Sequence, residues 1–230
     1  ARHLHGRGNF VSDIMFPGQR EVVFLRSPIA HGMLRGITKP AGFESVVYTR
    51  ADLTGIADIE APSTLPTYKL SAQAPRAHGK VRFVGEPVAM VVAKTRADAE
   101  DIAEQIQLDI VELPALVDAH RARTDTDVRI HDEWSDNLFL TLDFENNFEA
   151  ESKKATVVVT REINLARQAM VPMEGRAIVA HWDDRAGQLI VYTSTQSPHV
   201  IRVGLAQFLG IDEGMIRVIS PDVGGGFGLK

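Results

Sequence analysis

The chain has 230 residues, enough for one large domain or two ordinary ones, each with a core of its own. Hydrophobic residues make up 44% and charged residues 24%, with a net charge of −5 and no run of Lys or Arg, so nucleic acid and anionic membrane are poor partners. Cysteine is absent, which excludes disulfides, thiolate metal ligands and Cys nucleophiles from this sequence.

In chain order, Glu21-Val-Val-Phe-Leu25 is β-branched and aromatic and reads as a strand that stops at Ser27-Pro28. Ser45-Val-Val-Tyr-Thr49 reads as a second short strand. Residues 58–79 hold Pro62, Pro66 and Pro75 with little periodicity and read as a long loop, a kind of segment that often serves an interface or a site. Val88-Ala-Met-Val-Val-Ala93 is a nearly continuous apolar run, as for a strand covered on both faces. Thr95, three residues ahead of Asp98, has the capping-box pattern, and Ala99, Ile102, Ala103 and Ile106 share one face of the helix it opens. Gln107 to Glu112 alternates polar and apolar, as a half-buried strand does, and Pro114 ends it. Residues 1–120 therefore read as one α+β domain.

Residues 121–137 are polar and read as a linker. In residues 138–230 the strands restart, most clearly at Thr156-Val-Val-Val-Thr160 and Gln188-Leu-Ile-Val-Tyr192, with a hairpin loop at Asp183 to Gly187. A helix follows, with Ser197 as cap, Pro198 at the first helical position and Gly210 beyond its end. Its expected buried stripe is Val200, Ile201, Leu205, Phe208 and Leu209. Met215 to Ile219 reads as a last strand. No stretch approaches the ~20 apolar residues of a membrane span, and ARHLHGRGNF lacks a signal-peptide core, which leaves cytoplasmic location as the default.

The most informative feature is Gly224-Gly-Gly-Phe-Gly228. Glycine costs backbone entropy, so such a cluster after a strand points to unusual dihedrals and to bare N–H groups facing an anion or a flat ligand. A plain flexible turn is the alternative. Leu229 before Lys230 excludes a Walker loop, and a dinucleotide fingerprint is incomplete here. Phe227 among glycines calls for a ligand edge or a neighbouring chain to cover it. Gln196, just ahead of the helix cap, offers a neutral amide to an oxo group or another ligand, or else makes an ordinary loop hydrogen bond. The eight histidines form no ligand set, and Glu174 is expected to pair with Arg176.

These pieces resemble the large subunit of the xanthine dehydrogenase, aldehyde oxidoreductase and carbon monoxide dehydrogenase family. The matching stretches run in order along nearly the whole chain: Gly6-Arg-Gly-Asn-Phe-Val-Ser-Asp13, Arg26-Ser-Pro-Ile-Ala-His-Gly32, Val81 to Ala89, Pro172-Met-Glu-Gly-Arg176, Thr195-Gln-Ser-Pro-His199 and Pro221 to Gly228. The last two are the most specific. The resemblance implies an α+β chain with an N-terminal α/β hammerhead domain over 1–120, the linker, and the first part of a molybdopterin-binding domain over 138–230.

The resemblance further implies a molybdenum cofactor held by its own pterin dithiolene, in the cytosine dinucleotide form in a bacterium. Gln196, Gly225, Gly226, Phe227 and Gly228 would line it. The activity implied is hydroxylation of an aldehyde, an N-heterocycle or carbon monoxide with water as oxygen source. Electrons would leave through partner 2Fe-2S and FAD subunits or domains. No catalytic residue is expected within the chain. The catalytic glutamate and most pterin contacts are expected beyond Lys230, in the remainder of the large subunit, so the chain would act only within a complex or a longer chain. A non-catalytic scaffold or interface subunit is the competing reading.

Overall fold

The computed structural model describes residues 2–144, 146–166 and 168–230. Its first unit is built on three antiparallel sheets. One joins β1 (Glu21–Arg26), β7 (Pro87–Ala93) and β3 (Val47–Tyr48), in that order. Another places β2 (Gly32–Thr38) between β6 (Gly79–Val81) and β8 (Gln107–Glu112), and a small ribbon pairs β4 (Ile59–Glu60) with β5 (Ala72–Gln73).

The apolar run of β7 has a clear cause. Ala89, Val91 and Ala93 face one core, shared with Val47 and with Ala99, Ile102, Ala103 and Ile106 on and just after α1 (Arg96–Glu104). Val88 points the other way and joins Leu34, Ala77 and Val81 in a second core. A strand that serves two cores cannot alternate with polar residues. Thr95 caps α1 as expected, its Oγ1 accepting from Asp98 N–H at 3.1 Å.

One strand of this unit was not anticipated, and two expectations change. β2 had no clear strand signature, because Arg35, Gly36 and Thr38 dilute its pattern, yet it lies at the centre of its sheet. Within the expected strand 45–49, residues up to Val46 form a 3-10 turn over Glu44–Val46, and only Val47 and Tyr48 pair with β7. The loop 58–79 contains β4 and β5 and runs into β6.

The expected linker is strapped to this unit rather than crossing free. It begins in α2 (Ala119–Thr124), capped by Asp118. Lys80, nearly buried, donates to the Arg129 carbonyl at 3.0 Å and to Asp132 at 2.8 Å. Asn137 closes the segment on itself, accepting from Ile130 N–H and donating to the Val128 carbonyl.

Beyond α3 (Phe148–Ser152), the second unit holds β9 (Ile178–Asp183), β10 (Gln188–Thr193), α4 (Pro198–Leu209) and β11 (Ile216–Ile219). β9 and β10 form the expected hairpin, and β11 lies parallel to β10, so the chain must cross over through α4. Gly210 ends α4 in the left-handed conformation, φ 65°. The buried stripe of α4 is weaker than its sequence promises: Val200 is 69% exposed, and no residue of the helix is fully buried. Thr156–Thr160 is not a strand, and Val157, Val158 and Val159 stand exposed. β propensity is not enough where no neighbouring strand among the described residues takes up the backbone N–H and C=O groups. No helix among the described residues is long and apolar enough to cross a membrane.

The first residues of the chain lie against the second unit, not the first. Asn9 and Asp222 exchange two bonds, Asp222 N–H to the Asn9 carbonyl at 3.0 Å and Asn9 N–H to Asp222 Oδ2 at 2.9 Å. Arg2 pairs with the same carboxylate. The Phe16 ring sits 4.4 Å from that of His181 on β9 and 5.9 Å from that of Tyr192 on β10.

Candidate functional site

The candidate residues meet at one end of the β10–α4–β11 unit. As β10 ends, Ser194 and Thr195 turn inward and are buried. Ser194 Oγ accepts from Ala177 N–H at 3.0 Å, and Ser220 Oγ donates to the Thr195 carbonyl at 2.9 Å. Thr195 Oγ1 accepts from Ser197 N–H at 3.1 Å, a local turn bond, while the Ser197 side chain does not make the cap bond expected of it. This bracing fixes the backbone on both sides of Gln196 and turns its side chain toward the glycines.

The glycine loop leaves β11 through Ser220-Pro221-Asp222. Gly225 and Gly228 have φ of 99° and 82°, and Phe227, at 50°, is the one non-glycine residue with positive φ among the described residues. A phenylalanine held there costs about 1 kcal/mol or more, and the residue is 66% exposed. Each of the first three glycines also has a steric reason. A Cβ on Gly224 would lie 2.5 Å from Glu174 Cβ, on Gly225 2.9 Å from the Phe227 ring, and on Gly226 2.5 Å from Gln196 Cδ.

Gln196 is therefore brought together with the loop, a proximity that only the family resemblance had implied. Its Oε1 accepts from Gly228 N–H at 2.9 Å, and its backbone N–H donates to the Lys230 carbonyl at 3.3 Å. With the oxygen engaged, the amide nitrogen is left to donate outward. Among the described residues no partner takes the N–H groups of Gly225, Gly226 or Phe227. The loop end thus presents neutral donors.

The expected Glu174–Arg176 pair does not form. Glu174 Oε2 accepts from Gly224 N–H and from Lys230 Nζ, both at 2.8 Å, while Arg176 Nε donates to the Leu229 carbonyl at 3.0 Å. The actual partners lie 50 and 56 residues away, a separation no local signal encodes. Burial pushes the Glu174 carboxyl up, but the bonds from Lys230 and Gly224 outweigh it and hold it below its ordinary value. Its Oε1 is buried without a partner.

No group of three or more His, Asp or Glu side chains among the described residues is placed to hold a metal ion. The donors fit a molybdopterin group that brings its own metal ligands. Unpartnered N–H groups beside a neutral amide can bond to acceptor atoms of such a group.

Two family models match the chain: the aldehyde oxidase and xanthine dehydrogenase a/b hammerhead domain over residues 5–114, and the molybdopterin cofactor-binding domain over residues 130–230. The nicotine 6-hydroxylase large subunit of Paenarthrobacter nicotinovorans is 38% identical over 237 residues, covering 100% of this chain and 29% of that protein. The carbon monoxide dehydrogenase large chain of Hydrogenophaga pseudoflava is 32% identical over 255 residues, covering 100% and 30%. Among solved structures, quinoline 2-oxidoreductase from Pseudomonas putida 86 superposes with a TM-score of 0.90 at 34% identity, over 99% of this chain and 30% of that one. The chain spans about 30% of the length of the relatives it matches. With both domain types present in order, the chain belongs to the molybdenum hydroxylase large-subunit family of xanthine dehydrogenases, aldehyde oxidoreductases and carbon monoxide dehydrogenases.

Proposed function

We propose that this chain forms one edge of the molybdenum cofactor site of a hydroxylase, an oxidoreductase whose oxygen source is water. The observation that carries the reading is that the unpartnered N–H groups of Gly225, Gly226 and Phe227 lie in the same short loop that the Gln196 amide packs against. When bound, the cofactor supplies the redox centre at which a carbon is hydroxylated and two electrons are taken up. Every contribution from this chain is positioning and electrostatics. Gln196 donates through its amide nitrogen, the loop donates through its backbone, and Gly224, Gly225 and Gly226 let the loop pack closely on Glu174, Pro172 and Gln196, where a Cβ would not fit. Phe227 lies over Gly225 and contributes an apolar wall.

The substrate class in this reading is an aldehyde, an N-heterocycle or carbon monoxide, and the cofactor is the cytosine dinucleotide form. The catalytic base comes from polypeptide other than these residues. Partners carrying 2Fe-2S clusters and FAD take the electrons onward. Exposed Val157, Val158, Val159, Ile163, Leu165 and Val171 support burial against further polypeptide. The test is metal and pterin analysis of the native complex purified through this chain. Molybdenum near one atom per chain with a recoverable pterin supports the reading. A complex with neither at any stoichiometry overturns it in favour of a scaffold subunit.

A further inference from the structure

Glu174 and Lys230 form an ion pair to which the proposed function gives no role. The Lys230 side chain has no exposed surface and that of Glu174 is 11% exposed, so neither is there for solubility. Their partners are informative. Glu174 Oε2 accepts from Gly224 N–H, where the glycine loop begins, and from the ammonium of Lys230, where the loop segment closes. Glu174 N–H donates to the Gly224 carbonyl at 3.1 Å, so the two residues exchange bonds. Arg176, two residues on, holds the Leu229 carbonyl. Gln196 secures Gly228 and the Lys230 carbonyl from the other side.

We infer that Glu174 is a positioning residue for the cofactor edge, its carboxylate tying Gly224 to Lys230 so that Gly225, Gly226 and Phe227 are held as an arch between two fixed ends. The inference rests on the cofactor reading for its consequence, but the clasp itself is a claim about this chain. A carboxylate suits the task because it accepts from two donors at once, and Lys230 balances its charge where water is largely excluded.

The test is hydrogen–deuterium exchange, read by mass spectrometry on the native complex, in peptides covering 221–230 against peptides from β10 and α4. Glu174→Ala should exchange about tenfold faster or more in 221–230, as expected for loss of a charge-assisted bond, with β10 and α4 unchanged. Glu174→Gln keeps an acceptor for Gly224 but strands the Lys230 ammonium, so the increase should concentrate at 228–230. The double variant Glu174→Gln/Lys230→Met removes the stranded charge and should return the loop toward wild-type exchange. Glu100→Gln on α1 serves as a surface-carboxylate control and should change nothing. Wild-type exchange in 221–230 for both Glu174 variants would overturn the inference, as would equal loosening of β10 and α4, the mark of a general structural role. Molybdenum in the wild-type complex with an unaltered loop would leave the proposed function standing and sink the clasp. A loosened loop in a complex without molybdenum would do the reverse.

Discussion

The side chain of Gln196 fills the space that a Cβ on Gly226 would need. That Cβ would stand 2.5 Å from Gln196 Cδ and 2.6 Å from Oε1, the atom that accepts the Gly228 N–H. The glycine and the glutamine are therefore one device. Gly226→Ala should push the amide aside and free Gly228 N–H while leaving the rest of the second unit intact. NMR or hydrogen exchange at Gly228 measures this, and unchanged protection there would mean that the amide does not depend on Gly226.

The two-bond exchange between Asn9 and Asp222 ties the first residues of the chain to the strand exit that feeds the glycine loop. Asp222→Ala removes the acceptor for Asn9 N–H and the partner of Arg2. Limited proteolysis should then cut within residues 2–13 about tenfold faster. The wild-type cleavage rate would show that the contact does not hold this segment in solution.

Asp52 gives a pH prediction. The hydrogen bond from Lys39, with those from Thr49, lowers its carboxyl from 3.8 to about 2. A depressed carboxylate contributes stability that is fully present above the unfolded value and is lost as pH falls through the folded one. The stability gap between wild type and Asp52→Asn should therefore close between about pH 4 and pH 2. Denaturant titrations across that window check it, and a constant gap would contradict it. At a third exposed, the pair contributes modestly.

Val91 tests the first core. It is fully buried on β7, so Val91→Ala should cost about 2 kcal/mol. Val22→Ala, at a half-exposed site on β1, should stay within about 0.5 kcal/mol. Chemical denaturation distinguishes the two, and equal losses would misplace the core.

Local chemistry was legible in the sequence wherever local chemistry decided the outcome. The β7 run, the Thr95 cap, the β9–β10 hairpin and the Pro198-to-Gly210 limits of α4 all follow from short-range preferences. β2 escaped because its strand character comes from neighbours on both sides, not from its own residues. Thr156–Thr160 failed for the converse reason, strand propensity without a neighbour. At the site, the glycines and Gln196 stood out in the sequence, with a flexible turn and a loop hydrogen bond as the alternatives, and the loop does donate a hydrogen bond to Gln196. Ser194, Thr195, Ser220 and Glu174 did not, because each acts through a partner distant in sequence. Only the fold brings them together.

Turnover and molybdenum content, measured together on Gly226→Val and Gln196→Ala in the enzyme that contains this chain, test the cofactor edge most directly. Gly226→Val crowds the loop and should lower metal content, and activity with it. Gln196→Ala removes one neutral donor without filling space. Metal should largely stay, while turnover per bound metal falls about tenfold to a thousandfold. If Gly226→Val lowers only the melting temperature, and both variants keep full metal and full turnover per metal, these residues do not face the cofactor.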